Sequence, residues 1–448
     1  MLPSPDQLRH ILRLVLTDKH DEGHEVEDLR EALDRAGDSL DALATVAERA
    51  VDPPMRPDWP YAEPVELDAV RAQWRPGRAG AASVDPAAAA PAIETAFLAR
   101  VAGCVLGKPF ELDLALDQIR AALEPEGRWP LGEYATLAVL DRLPMRIGQW
   151  AETAGDRIAW VAPDDDINYT IVGMLVLERY GRGFTLENLR DVWLQQLPMA
   201  AVFGPERTML VRAGMHGIDG GAPQSVETWA AHLNPREEWC GALIRADPYG
   251  YANPGDPETA AELAWRDASF THRRTGVYGS MFVAAALGLA PVREDPIRLF
   301  DDALAFVPQR SRFAAAVADA LTEVDAATDW LDAYRRIHAR WPEHTHCRIF
   351  QEVGTLVNSI VHARDAGDAI CLQVMQGNDT DSYGATAGSI AGLLFGAGSL
   401  DARWLAPFND DLRPALALFH ERSLAAVAAR VARLPARARS PRRGDLPY

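Results

Sequence analysis

The chain has 448 residues, 48% hydrophobic and 24% charged, an ordinary balance for a globular enzyme with room for one large domain or two to three smaller ones. Its 45 basic and 64 acidic residues give a formal net charge of −19, which argues against nucleic acid or an anionic membrane as a main partner and suits cation binding. Four widely separated cysteines (Cys104, Cys240, Cys347, Cys371) predict neither a disulfide framework nor a thiolate metal site, and fit a reducing cytoplasm.

Taken in order, residues 4–50 carry the apolar spacing of two amphipathic helices, marked by Leu8, Ile11, Leu12 and Val15, then by Leu29, Leu33, Leu40, Leu43 and Val46. Met1 is followed by polar residues rather than an apolar leader, so no signal peptide is expected. The next stretch is rich in proline, with a short helix expected over Val65–Gln73, and residues 76–91 read as an alanine-rich loose loop. From Ala92 onward helical periodicity is nearly continuous, with long loops expected over 197–258 and no series of alternating strands. The longest apolar run, near Met281–Ala290, is short for a bilayer. The expected architecture is all-α: an N-terminal helical extension (1–52), a Pro/Ala-rich connector (53–91), one main domain (92–436) and a tail (437–448).

Four stretches carry chemistry. Gly377-Asn378-Asp379-Thr380-Asp381-Ser382 opens a helix with glycine at 384, 388, 392 and 396, so one face is nearly flat and a second backbone can approach closely. Glycine inside a helix costs up to about 1 kcal/mol relative to alanine, so the stripe needs a packing reason. Asp381 or Ser382 suits the N-cap, where the helix dipole offsets negative charge. Asp164-Asp165-Asp166 precede another apolar helix. Taken with Asp379, Asp381 and Ser382 they supply hard oxygen donors for two divalent ions, Mg²⁺, Mn²⁺ or Ca²⁺ rather than zinc.

Gly103-Cys104-Val105-Leu106-Gly107-Lys108-Pro109-Phe110-Glu111 ends a helix at Gly107 and delivers Glu111 on the loop beyond; alone it is also an ordinary helix stop. The basic loop from Thr271 to Ser280 puts Arg273 and Arg274 before a helix N-terminus, a place for a diphosphate or simply a solvated loop. Glu343-His344-Thr345-His346-Cys347 has the composition of a metal cluster, but His344 and His346 diverge on a helix, which leaves a loop with His346 as a pocket-lining candidate.

In this order the four stretches resemble the motifs of the ADP-ribosylglycohydrolases over roughly residues 92–435: the Gly-rich, Pro-x-Glu opening, the Thr-Asp-Asp-Thr-x-Met-Thr segment, the substrate loop and the Gly-Gly-Asp-Thr-Asp-Thr helix start. The resemblance implies an all-helical fold with two Mg²⁺ (sometimes Mn²⁺) in a central cleft and hydrolysis at the anomeric carbon of ADP-ribose. It implies metal ligands at Asp164, Asp165, Asp166, Asp379, Asp381 and Ser382. It further implies catalytic roles for Glu111, Asp166 and Asp379, and ADP-ribose contacts from His272, Gly276, Tyr278, Gly279 and Ser280. Three positions depart from the pattern: Asp164 and Ile167 stand where threonines are usual, and Asn378 where glycine is. The extra carboxylate is expected to retain or strengthen cation binding. The substrate class stays open between an ADP-ribosylated protein and a small NAD-derived or nucleotide-linked N-riboside. A catalytically inactive relative is the reading from outside the enzymes.

Overall fold

The computed structural model describes residues 3–144, 152–215, 226–342 and 345–439, so Glu343, His344 and most of the 437–448 tail lie outside the described residues. The architecture is all-α. Among the described residues, strands are confined to one short pair: β1 (Leu114–Ala115) lies antiparallel to β2 (Gly377–Asn378).

The N-terminal region makes three helices, α1 (Pro5–Asp21), α2 (Glu27–Ala36) and α3 (Leu40–Arg49), rather than the expected two, because Gly37 at φ +52° breaks the second run. Leu12, Leu16, Leu29, Leu33 and Leu43 close a small core of their own. A short α4 (Leu67–Arg71) follows, with Val70 and Trp74 already in the main core. The connector is pinned rather than loose. Ala62 N–H donates to the Arg310 carbonyl, and the Tyr278 hydroxyl donates to the Pro64 carbonyl at 2.5 Å.

Helix α5 (Pro86–Gly107) begins earlier than the alanine-rich composition suggests, because Asp85 caps it and Pro86 takes the first-turn position where no N–H is needed. Then come α6 (Leu116–Leu123), α7 (Leu137–Leu140), α8 (Asp165–Tyr180) and α9 (Leu186–Gln196). The stretch expected as long loops contains α10 (Gly204–Met215), α11 (Val226–Trp229) and α12 (Asp247–Tyr251). The rest is α13 (Pro257–Ala268), α14 (Arg274–Leu289), α15 (Pro296–Leu304), α16 (Arg312–Asp325), α17 (Trp330–Arg340), α18 (Ile349–His362), α19 (Ala366–Met375), α20 (Thr380–Leu394), α21 (Leu424–Val431) and α22 (Leu434–Arg437). With their short C-terminal extensions, α5 and α14 are long and apolar enough to cross a bilayer, yet most of each is buried inside the fold.

The α5–α20 pair is the spine. A Cβ on Gly388 would stand 2.2 Å from the Ala99 carbonyl oxygen, one on Gly384 2.8 Å from that of Gly103, and one on Gly392 2.4 Å from the Ala96 Cα. The flat face expected from the glycine stripe therefore meets another backbone. Gly396 differs: it follows the helix at φ +78°, in open space, as a left-handed stop. Gly388→Ala would gain about 1 kcal/mol of helix propensity but push the two helices apart, an overpacking cost of about 1–3 kcal/mol or more. A net loss of stability is expected, read as a lower Tm, and an unchanged or higher Tm would refute the packing role.

Candidate active site

The α5–α20 contact fixes the start of α20 against the end of α5. The Thr380 hydroxyl donates to the Gly107 carbonyl at 2.8 Å, and a Cβ on Gly107 would meet the Thr380 carbonyl oxygen at 2.1 Å. Beyond Gly107 the chain turns through Lys108–Phe110, and Leu112 and Asp113 both take positive φ. The β1–β2 pairing then ties this loop to the turn before α20. Gly377 admits no side chain, since a Cβ there would lie 1.9 Å from the Leu114 carbonyl oxygen. Asn378, at φ +62°, occupies the left-handed region that asparagine tolerates best after glycine, which explains the departure from the glycine pattern there. Glu111 and Asp379 are thereby delivered to one place.

Asp164 caps α8, its carboxylate accepting from the Asp166 N–H at 3.0 Å. Helix α20 starts one turn-step earlier than expected, with Asp379 at the cap position; its N–H donates to the buried Glu352 at 2.8 Å. Both acid groups sit at helix N-termini, whose dipoles favour negative charge.

These elements surround a cleft of about 720 Å³. Glu111, Asp164, Asp165, Asp379, Asp381 and Ser382 line it. Asp166 lies one layer behind, where it accepts from Ser382 Oγ at 3.2 Å and pairs with the fully buried Arg100 at 3.4 Å. Arg100 also reaches Asp247 at 2.9 Å, and its Nη2 donates to the Asp166 and Ile244 carbonyls. In the middle of the floor stands Lys108. Its ammonium lies 2.9 Å from Glu111, 2.8 Å from Asp164 and 2.8 Å from Asp381.

The second wall brings in His346, the pocket-lining candidate of the sequence, with its neighbour Cys347, and several residues that carry no sequence signal of a site. Cys240 and Cys347 both point their thiols at Asp379 Oδ2, at 3.2 and 3.3 Å. These two cysteines are far apart in sequence and meet only through the fold, and both are free thiols. His346 lines the cleft, its Nδ1 2.9 Å from Asp113. Arg236 lies over the Trp239 ring at 4.3 Å, and Phe203, 55% exposed, stands at the apolar end.

The loop motif lands elsewhere. His272, Gly276, Tyr278, Gly279 and Ser280 are buried at or within α14 and are not among the residues lining the cleft. His272 stands behind the wall, its Nδ1 2.7 Å from Thr271 Oγ1 and 3.5 Å from Glu206, which does line it. Arg273 donates to the Ser269 and His272 carbonyls, and Arg274 pairs with Glu22, so the two guanidiniums serve internal contacts rather than an open diphosphate site.

Burial, reinforced by Asp381 nearby, raises Glu111 to about 9, with Lys108 opposing. Burial and then Asp381 raise Asp379 to about 7. Asp165 and Asp166 are pushed up in the same way, first by burial and then by Asp164. Burial works against ionisation of Asp381 too, but Lys108 outweighs it and carries that carboxyl below its usual value. The donors are hard oxygens at high local charge, a set that fits a divalent cation. Folded-state values above the unfolded ones mean stability present at low pH and lost as pH rises, through about 7 for Asp379 and about 9 for Glu111. The metal-free protein is therefore expected to melt at lower temperature at pH 8.5 than at pH 6, and added Mg²⁺ should restore more at the higher pH. A Tm that rises across this window, or no response to Mg²⁺, would contradict the charge crowding.

Comparison with known proteins gives the family. The family model for ADP-ribosylglycohydrolase matches residues 85–437. The chain belongs to the ADP-ribosylglycohydrolase family. The match takes in all of α5 and every acid of the floor. Among solved structures, an "ADP-ribosylglycohydrolase-related protein complex" is similar at 20% identity, over 78% of this chain and 99% of that one, with a TM-score of 0.47. A search of the curated proteins finds no match. Members of this family are generally hydrolases, and the family generally binds divalent metals.

Proposed function

We propose that this ADP-ribosylglycohydrolase hydrolyses the glycosidic bond at the anomeric carbon of an ADP-ribosyl group, with a divalent cation, Mg²⁺ or Mn²⁺, on the acidic floor. One observation carries the reading: acids from two helix starts more than two hundred residues apart meet at the floor of the same cleft, beside Glu111. Asp164, Asp165, Asp379, Asp381 and Ser382 would hold the cation, with Asp166 orienting Ser382 from behind. When bound, such a cation supplies Lewis-acid polarisation and a more acidic water.

The rest falls to the chain's own groups. Burial and the neighbouring Asp381 favour the protonated form of Glu111, which can give its proton to the leaving group, while Asp379, as a donor to the cation, would help to position the attacking water. The carboxylates around them stabilise the positive charge that develops at the anomeric carbon as the bond breaks. Arg236, exposed at the rim and stacked on Trp239, takes the diphosphate role that Arg273 and Arg274 are not placed to fill. Trp239 and Phe203 offer faces to the adenine. His272, Gly276, Tyr278, Gly279 and Ser280 support the wall from α14 rather than touching substrate.

A small nucleotide-linked N-riboside is the second reading for the substrate, favoured by a cleft whose volume lies in the range that encloses small molecules. The test is a panel of ADP-ribosylated proteins and small ADP-ribosyl compounds, followed for free ADP-ribose. Release that needs a divalent cation and stops with chelator is expected. No release from any substrate in the presence of Mg²⁺ or Mn²⁺ would reject the assignment.

A further inference from the structure

Lys108 is the group that this chemistry leaves over. A lysine in a Gly-Lys-Pro turn ordinarily points to solvent. Here its ammonium is held by carboxylates from three elements: the loop carrying Glu111, the cap of α8 (Asp164) and the first turn of α20 (Asp381). The backbone leaves it little choice. Gly107 touches the Thr380 backbone, and Pro109 fixes φ just after, so the residue between them faces the floor. Only 17% of the side chain is exposed.

We propose that Lys108 is a tethered cation occupying one of the two cation positions, so that the cleft seats a single divalent ion. The proposal rests on the reading of the floor as a cation site. An ammonium within hydrogen-bond reach of Glu111, Asp164 and Asp381 stands where an ion shared by those carboxylates would sit, and two cations cannot occupy the same space. Of the five donors assigned to the cation, Lys108 engages Asp164 and Asp381, so the single ion is left chiefly with Asp165, Asp379 and Ser382. Lys108 thereby supplies a fixed positive charge beside Glu111 that no chelator can remove.

The test counts ions. Full-length protein and its Lys108→Met and Lys108→Gln variants are titrated with Mn²⁺, with bound ion measured by calorimetry and by the paramagnetic signal of the free ion. About one Mn²⁺ per chain is expected for the natural protein and about two for either variant, once the ammonium no longer fills a position. Equal counts above zero in all three overturn the proposal and leave the cation site standing. No binding by any of them overturns both. Should neither variant fold, the natural protein decides alone: one anomalous peak in a crystal grown with Mn²⁺, with the Lys108 ammonium still between Glu111 and Asp381, supports the proposal, and two peaks reject it.

Discussion

Replacing Asp379 and Asp381 together by alanine is expected to lower turnover of the ADP-ribosyl substrate by at least about a thousandfold. Such a loss corresponds to the several kcal/mol of transition-state stabilisation that a seated cation and its acids supply. Both residues line the cleft, Asp379 between two thiols and Asp381 against Lys108. The substitution removes both donors at the start of α20 and one of the three carboxylate partners of Lys108. Helix α20 keeps its glycine contacts with α5, which lie further along, so the variant should fold. Circular dichroism controls for that. Near-normal turnover in a folded double variant would remove the acidic floor from the chemistry altogether.

Arg100→Met is the second large effect, and it falls on stability. Arg100 is fully buried, with Asp247 at 2.9 Å on one side and Asp166 at 3.4 Å on the other. Methionine fills much of the volume but leaves two buried carboxyls without their cation. Breaking one side of a buried pair costs about 3–5 kcal/mol, a large part of a domain's net stability. The expected result is a protein that is insoluble, or that melts far below the natural one. A further Asp247→Leu change should recover part of the loss, since a buried pair replaced by apolar groups is often neutral. An Arg100→Met protein with unchanged Tm would mean the guanidinium is not the counter-ion of Asp166.

The parts of the site legible in sequence are those written in short-range spacing. The four-residue glycine step of α20 announces a close backbone contact, and the acids before α8 and α20 announce helix starts with crowded charge. Each depends only on residues within a few turns. What stayed hidden depends on chain reversal over long distances. Cys240 and Cys347 meet at Asp379 from elements far apart in sequence. Lys108 reads as a surface residue until the Gly107–Thr380 contact is known to hold it over the floor. The His272–Ser280 stretch shows the converse case. A basic, glycine-containing loop looks like a ligand site, but its glycines serve packing: Gly276 lies against His272 and Glu237, Gly279 against Leu243 and Ile349. Composition cannot say which side of a helix start faces the cleft. The N-terminal helices were legible as helices, while their attachment was not. It runs through Lys19, which is buried beside its i,i+3 neighbour Glu22 at 2.9 Å and reaches Glu237 at 2.5 Å, a partner that no local pattern connects to it.

The most direct measurement is a crystal of the natural protein soaked with Mg²⁺ and ADP-ribose. The distal ribose is expected on the acidic floor, with its anomeric carbon beside Glu111 and its adenine toward Trp239 and Phe203. ADP-ribose bound anywhere else, or a cleft that stays empty at saturating ligand, would contradict the assignment of this cleft as the site of hydrolysis.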